Sequence, residues 1–253
     1  MTISNSDFNN KLLESYKIYA GNDKDYARSN AKLKPVHGYI ADSINTLTNG
    51  QYHILAQGFG EDKEKTVQGT YYNKNVDITV SKLINGVEKD IAGVEVKIFA
   101  SSIGKNSVNY IENCMGATAN LQSNGFSVAQ FVVAPTYSTW YNKQGVLTKI
   151  EPLSEHNIMK YFNLDTINMS NAYHKPNLLY FGLIDTGNYE FLKSNLGKKI
   201  DKSQLMMSYH ISSADIDKLS YTPDMKKWLK RNGDYTNFIN AFCGLVRYKE
   251  YSI

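Results

Sequence analysis

Asp77 and Glu95 stand 18 residues apart, and Lys97 follows two positions beyond the glutamate. In a β-strand, residues i and i+2 point the same way, so Glu95 and Lys97 would share a face. If the strand carrying Asp77 pairs with theirs as a hairpin, Asp77 comes close to Glu95. Two converging carboxylates repel each other unless a cation sits between them. Hard oxygen ligands in that number suit Mg²⁺, which keeps several waters and commonly binds one or two carboxylates plus a phosphate. The neighbouring ammonium can hold or help deprotonate an attacking water, or stabilise charge on a pentavalent phosphate. That combination is equipped for metal-assisted phosphodiester hydrolysis. The structural alternative is a solvated strand face, with Asp77 bonding backbone at a turn. Against it, Glu95 and Lys97 interrupt a run, Ile91 to Ala100, that is otherwise almost wholly apolar, where burying charge is costly without a purpose.

The surrounding sequence predicts the elements that would position these groups. Asn75 to Lys82 is β-branched and alternating, Ile84-Asn85-Gly86-Val87 has turn chemistry, and Ile91 to Ala100 reads as the next strand. Val94, Val96 and Ile98 fall on one face of that strand, with Glu95, Lys97 and Phe99 on the other. Asn106 to Gln122 fits a helix with Val108, Ile111, Met115 and Leu121 near one side, and Asn124-Gly125 stops it. Ser127 to Ala134 is a continuous apolar strand ended by Pro135. Upstream, Asp7 to Ala20 reads as a helix capped by Ser6, and Asn22 to Asn30 as a charged loop. A second helix begins near Pro35 and runs to the Asn49-Gly50 stop, followed by a strand over Tyr52 to Ala56. Downstream, Tyr137 to Asn142 reads as an aromatic, polar loop and Leu178 to Ile184 as a buried strand. Thr222-Pro223 opens a helix with Trp228 and Leu229, and Asp234 caps another after Gly233. The fold class expected is α/β, a mixed central sheet flanked by helices, with a less readable α+β part at the C-terminal end.

Asp77 and the Glu95-Val96-Lys97 triplet, set on consecutive strands, resemble the motif of the PD-(D/E)XK nuclease superfamily. The resemblance covers about residues 33–134 and matches that family's order of helix, three strands, helix and strand. Val76 stands where the family motif has its proline. The resemblance implies a restriction-endonuclease-like core with Asp77 and Glu95 holding Mg²⁺ and Lys97 serving the attacking water. It also implies an acidic residue on the preceding helix, for which Asp42 is the match; Glu14, on the earlier helix, is the poorer one. Residues 136–253 carry no family resemblance.

Other chemistries find no support. Gly58-Phe59-Gly60 begins a dinucleotide fingerprint, but Lys63 occupies the third glycine position. There is no phosphate-binding P-loop and no G-x-S-x-G elbow. The five histidines, His37, His53, His156, His174 and His210, lack metal-ligand spacing; His37, near the start of the second helix, could approach the site but reads first as a partly exposed structural residue. Cys114 and Cys243 make no disulfide framework, and Cys114 reads as a small core residue of its helix. No apolar run reaches the roughly 20 residues of a membrane helix, and Met1 to Phe8 has no secretory character. A protein of a reducing cytoplasm, without membrane contact, is expected.

The 253 residues carry 28 Lys+Arg against 24 Asp+Glu, and residues 135–253 hold the whole excess. A mildly basic half permits nucleic-acid contact without diagnosing it. Single nuclease domain 1–253 is expected, with 33–134 as catalytic core and 135–253 supplying DNA contacts and a dimer surface. Lys198, Lys199, Lys202, Lys226, Lys227, Lys230 and Arg231 are candidates for phosphate contact, as is the loop Ser101 to Asn106. The expected activity is Mg²⁺-dependent cleavage of double-stranded DNA by a homodimer, as in a type II restriction enzyme, since cutting a palindrome wants two sites about a two-fold axis. A repair, junction-resolving or exonucleolytic nuclease, or a non-catalytic DNA-binding protein, are the alternatives.

Overall fold

The computed structural model describes residues 3–21, 30–101, 103–169 and 172–251. The expected charged loop from Asn22 to Asn30 lies almost entirely outside the described residues. Two helices come first, α1 (Asn5–Gly21) and α2 (Lys34–Leu47). Ser4, rather than Ser6, accepts the first-turn N–H of Asp7, at 3.1 Å, because the helix starts two residues earlier than the apolar spacing implies. Strands β1 (His53–Ala56), β2 (Lys65–Gln68), β3 (Asn73–Val76), β4 (Ile78–Ile84) and β5 (Val87–Ile98) follow, then helix α3 (Ile103–Gln122) and strand β6 (Ser127–Pro135). The remainder is β7 (Tyr137–Tyr141), β8 (Leu147–Pro152), α4 (Glu155–Thr166), β9 (Leu178–Asp185), α5 (Tyr189–Ser194), α6 (Lys202–Ser208), β10 (Ser212–Ser213), α7 (Pro223–Asn232) and α8 (Tyr235–Glu250).

The molecule is α/β, built on a six-stranded mixed sheet ordered β1-β4-β5-β6-β9-β10. Asn85 and Gly86, at φ 52° and 77°, make the tight turn between β4 and β5, whose antiparallel ladder sets Ile84 opposite Val87. Strands β5, β6 and β9 are parallel, with Glu95 in register with Gln130 and Gln130 with Leu179. Every residue of β6 is buried, as befits a strand covered on both faces.

One layer of helices, α1, α2 and α8, packs Phe8, Leu12, Ile40, Tyr235 and Phe242 against Val94, Val96 and Phe131. The other, α3, α4 and α7, packs Ile111, Ile158, Tyr161 and Trp228 against Val132 and Phe181. The faces of β5 divide as the alternation predicts, and the Glu95 and Lys97 side belongs to the α3 layer. The second half of the chain is therefore woven into the same sheet as the first: β9 lies against β6, and α8 packs on β5 and α2.

Several expectations need correction. Asn75 to Lys82 is not one strand, since the chain passes from β3 to β4 at Asp77 and β3 pairs with β2 instead of joining the main sheet. The next strand starts at Val87, straight from its turn, and ends at Ile98. Val108 is 51% exposed, because α3 turns Ser107, Ile111, Thr118 and Leu121 inward. Tyr137 to Tyr141 is a strand paired with β8, its tyrosine and tryptophan side chains suiting a half-covered ribbon better than a loop. Among the described residues, no helix is long and apolar enough to cross a membrane.

Candidate active site

The break in the strand at Asp77 is what creates the site. β4 pairs with β5 only up to Ile78 opposite Val94, so the next ladder position is taken by a side chain: Asp77 Oδ2 accepts the backbone N–H of Val96 at 2.7 Å. This brings the Asp77 carboxylate alongside Glu95 and Lys97, and each of these acts electrostatically on it or is acted on by it. Glu95 Oε2 is 3.0 Å from the ammonium of Lys74, which β3 delivers. Its other oxygen, Oε1, is buried with no hydrogen-bond partner among the described residues. A buried carboxylate oxygen without a donor is costly, so this atom calls for a partner. Burial pushes the Glu95 carboxyl up to about 7, with the Asp77 charge adding to the rise and Lys74 opposing it. Asp77 is likewise raised by burial, against the pull of the Val96 N–H.

From the opposite side α2 presents His37, fully buried, with neither ring nitrogen hydrogen-bonded among the described residues. Burial holds its imidazole down to about 4, hence neutral and able to donate a lone pair at neutral pH. Glu64, just ahead of β2, accepts from Gln57 Nε2 at 2.9 Å. His37, Glu64 and Asp77 each offer a ligand atom, and those atoms lie within 4.8 Å of one another. The donor set thus holds an imidazole as well as oxygens, which departs from the all-oxygen expectation. His37 is also not a partly exposed residue. The apolar face of α2 carries it inward together with Val36, Ile40 and Ile44.

Asp42 is not in this group. It stands five residues beyond His37, well round the helix, and lines a separate groove with Glu14, Lys34, Gly58 and Phe59. The expectation followed the resemblance to an acidic position on that helix, whereas the side chain α2 turns toward Asp77 is His37. Glu64 was missed because it sits in a charged, patternless stretch, Glu61 to Lys65, whose geometry no periodicity reveals.

Glu95 and Lys97 open into a cleft of about 700 Å³ also lined by Tyr72, Lys74, Tyr110, Cys114 and Gln130. Lys97 Nζ lies 3.8 Å from the centroid of the Tyr110 ring, a cation–π contact that aims the ammonium along the cleft. Burial lowers its proton affinity while Asp77 raises it. Cys114 therefore borders the cleft and is not purely a core residue of α3. Lys97 and Tyr110 are shared with a second cavity of about 320 Å³, bordered by Tyr19, Lys32, Ser101 and Asn106. The segment from Ser101 to Asn106 is largely the first turn of α3, and residue 102 lies outside the described residues.

Most of the basic candidates of the second half have internal duties. Lys230 pairs with Asp217 at 2.7 Å, Arg231 with Asp165 at 2.8 Å, and Lys226 donates to the Asp217 carbonyl at 2.9 Å. Lys198 donates to the carbonyl of Ser194 at 3.1 Å. Comparison with family models, with curated proteins and with solved structures finds no match for this chain.

Proposed function

We propose that this chain is a divalent-metal-dependent nuclease that hydrolyses phosphodiester bonds of DNA, of the PD-(D/E)XK kind that its motif resembles. The observation that carries the reading is the convergence of Asp77 and Glu95, with a buried, donor-less Glu95 oxygen and Lys97 two residues on. Asp77, Glu64 and His37 would hold the metal, Mg²⁺ or Mn²⁺, with Glu95 beside Asp77 and paired with Lys74. A bound divalent ion supplies Lewis acidity at the scissile phosphate and lowers the pKa of a coordinated water. The residues do the rest. Lys97 holds the attacking water or meets the developing phosphate charge, Tyr110 fixes the direction of its ammonium, and Lys74 keeps the Glu95 carboxylate from turning away.

Within this activity, duplex cutting by a homodimer in the manner of a type II restriction enzyme is one task, and repair-type or exonucleolytic cutting the other. Both are proposed for a reducing cytoplasm, a setting suited to two free cysteines. Incubation with circular duplex DNA and Mg²⁺ or Mn²⁺ tests the reading. Discrete bands support a site-specific endonuclease, progressive loss of product supports the second task, and intact DNA under all metals rejects the nuclease.

The Lys74–Glu95 ion pair favours one rival, a non-catalytic protein in which these charges form a structural network. In that case removing one partner destabilises the fold by roughly 3–5 kcal/mol and no hydrolysis accompanies any metal.

A further inference from the structure

Four residues, Gly69-Thr70-Tyr71-Tyr72, connect β2 to β3 at the rim of the cleft, and they are fastened to α3. The buried side chain of Asn120 accepts the backbone N–H of Tyr71 at 2.8 Å and of Tyr72 at 3.3 Å, and donates to the carbonyl of Tyr72 at 2.9 Å. The Thr70 N–H donates to the backbone carbonyl of Asn120 at 2.9 Å, and the Thr70 and Ser123 hydroxyls are 2.9 Å apart. Gly69 allows this approach, since a Cβ there would stand 2.1 Å from the Asn120 amide nitrogen. The turn is thus rigid, yet Tyr71 is 81% exposed and Tyr72 52% exposed. Neither ring gains much from burial, so the fold alone gives no reason for two adjacent aromatics on so firmly held a turn. Tyr72 borders the same cleft as Lys74, Glu95 and Lys97.

Flat, exposed rings beside a phosphodiester site match one ligand surface above others, the π-face of a nucleobase, which stacks regardless of sequence. In a duplex those faces are already covered by neighbouring bases. A pre-ordered platform also spares the entropy of fixing the loop on binding. We propose that Tyr71 and Tyr72 form a stacking shelf for unpaired nucleobases, so that the strand entering the Glu95–Lys97 cleft is single-stranded on the β2–β3 side. This deepens the nuclease reading and rests on it for the direction of the strand.

The test uses a single-stranded oligodeoxynucleotide carrying 2-aminopurine, and its annealed duplex, titrated into the full chain with Ca²⁺ present. The single strand should bind more tightly than the duplex, and its 2-aminopurine fluorescence should be quenched by stacking. Tyr71→Ala and Tyr72→Ala should each weaken single-strand binding by about 5- to 100-fold, while Tyr→Phe at either position should retain it. Melting temperature should not change, as both rings are largely exposed. Alanine variants that bind the single strand as the unaltered chain does would overturn the shelf. So would equal losses for single strand and duplex. The nuclease reading fails separately, if the unaltered chain binds the single strand through these tyrosines but cuts neither form with Mg²⁺ or Mn²⁺. Absence of any binding by the unaltered chain rejects both.

Discussion

Asp77 and Val96 are joined by a 2.7 Å hydrogen bond in which the aspartate carboxylate accepts the valine N–H. Val96 is the residue between Glu95 and Lys97, and its own side chain faces the opposite helix layer. The bond therefore anchors Asp77 to the backbone of the strand that carries its two partners. Displacing the carboxylate from them means breaking this bond and leaving the Val96 N–H without its acceptor.

Lys97→Ala should give a folded protein that still binds metal and DNA but loses roughly 10² to 10³ in cleavage rate, the usual effect of removing one preorganised electrostatic group. Thermal melting and cleavage measured on one preparation check this. A folded variant that cleaves normally takes Lys97 out of the mechanism.

Asp77→Asn and Glu95→Gln keep side-chain shape while removing negative charge at the site, so metal binding should weaken and cleavage should collapse. Imidazole suits transition metals better than Mg²⁺, so His37→Ala should weaken Mn²⁺ binding more than Mg²⁺ binding, read by calorimetry. Ca²⁺ should support DNA binding without turnover, and excess EDTA should abolish cleavage. Full activity in EDTA contradicts the metal centre.

The Glu95 carboxyl sits near pH 7 in the fold against an ordinary value of 4.5. A carboxyl raised on folding contributes stability that is complete below its unfolded pKa and is lost as pH rises through its folded one. His37 acts in the other direction, since its pKa falls from 6.5 to about 4 and its contribution is lost as pH falls. The Glu95→Gln variant removes the first effect while leaving His37 in place, and reads the Glu95 carboxyl together with its Asp77 and Lys74 neighbours. Urea unfolding without metal should show the variant gaining on the unaltered chain between about pH 4.5 and 7, by on the order of 2 kcal/mol. A stability difference that does not vary with pH refutes the raised carboxyl.

If basic side chains contact phosphates, DNA affinity should fall steeply as salt rises, with a slope that counts the phosphates neutralised. Lys227 and Lys199 are better targets than Lys230 or Arg231, which already have carboxylate partners. Sedimentation with duplex DNA should give a complex holding two copies of the chain. A strictly monomeric complex that cuts one strand argues for the nicking or exonucleolytic task.

The apolar patterns of α2, β5, β6, β9 and α8 were plain in the sequence because the helices and β5 bury one continuous face, while β6 and β9 bury both. The turn at Asn85-Gly86 was equally legible, because its positive φ angles demand those residue types. Ribbons that stand off the main sheet were not. β2 and β3 are short and mostly polar, so Asn75 to Lys82 read as one strand when it is two. Among the site residues, Glu95 and Lys97 could be read as a pair because strand alternation fixes their direction, whereas Asp77 reaches them from the break between β3 and β4. Asp42 and His37 lie on one helix, and choosing between them needs the rotation of that helix against the sheet, which sequence spacing does not supply.

Strand β6 has one neighbour from each half of the chain, β5 and β9, and both its faces are covered. A nascent chain that has emerged only as far as Pro135 would carry Asp77, Glu95 and Lys97, yet β6 would lack its partner β9 and the cover of α8. The β4–β5 ladder that aligns the two carboxylates is local and could form, but the strand beside it would stand uncovered. The central strand beside Glu95 is thus buried only once both halves of the chain have folded together.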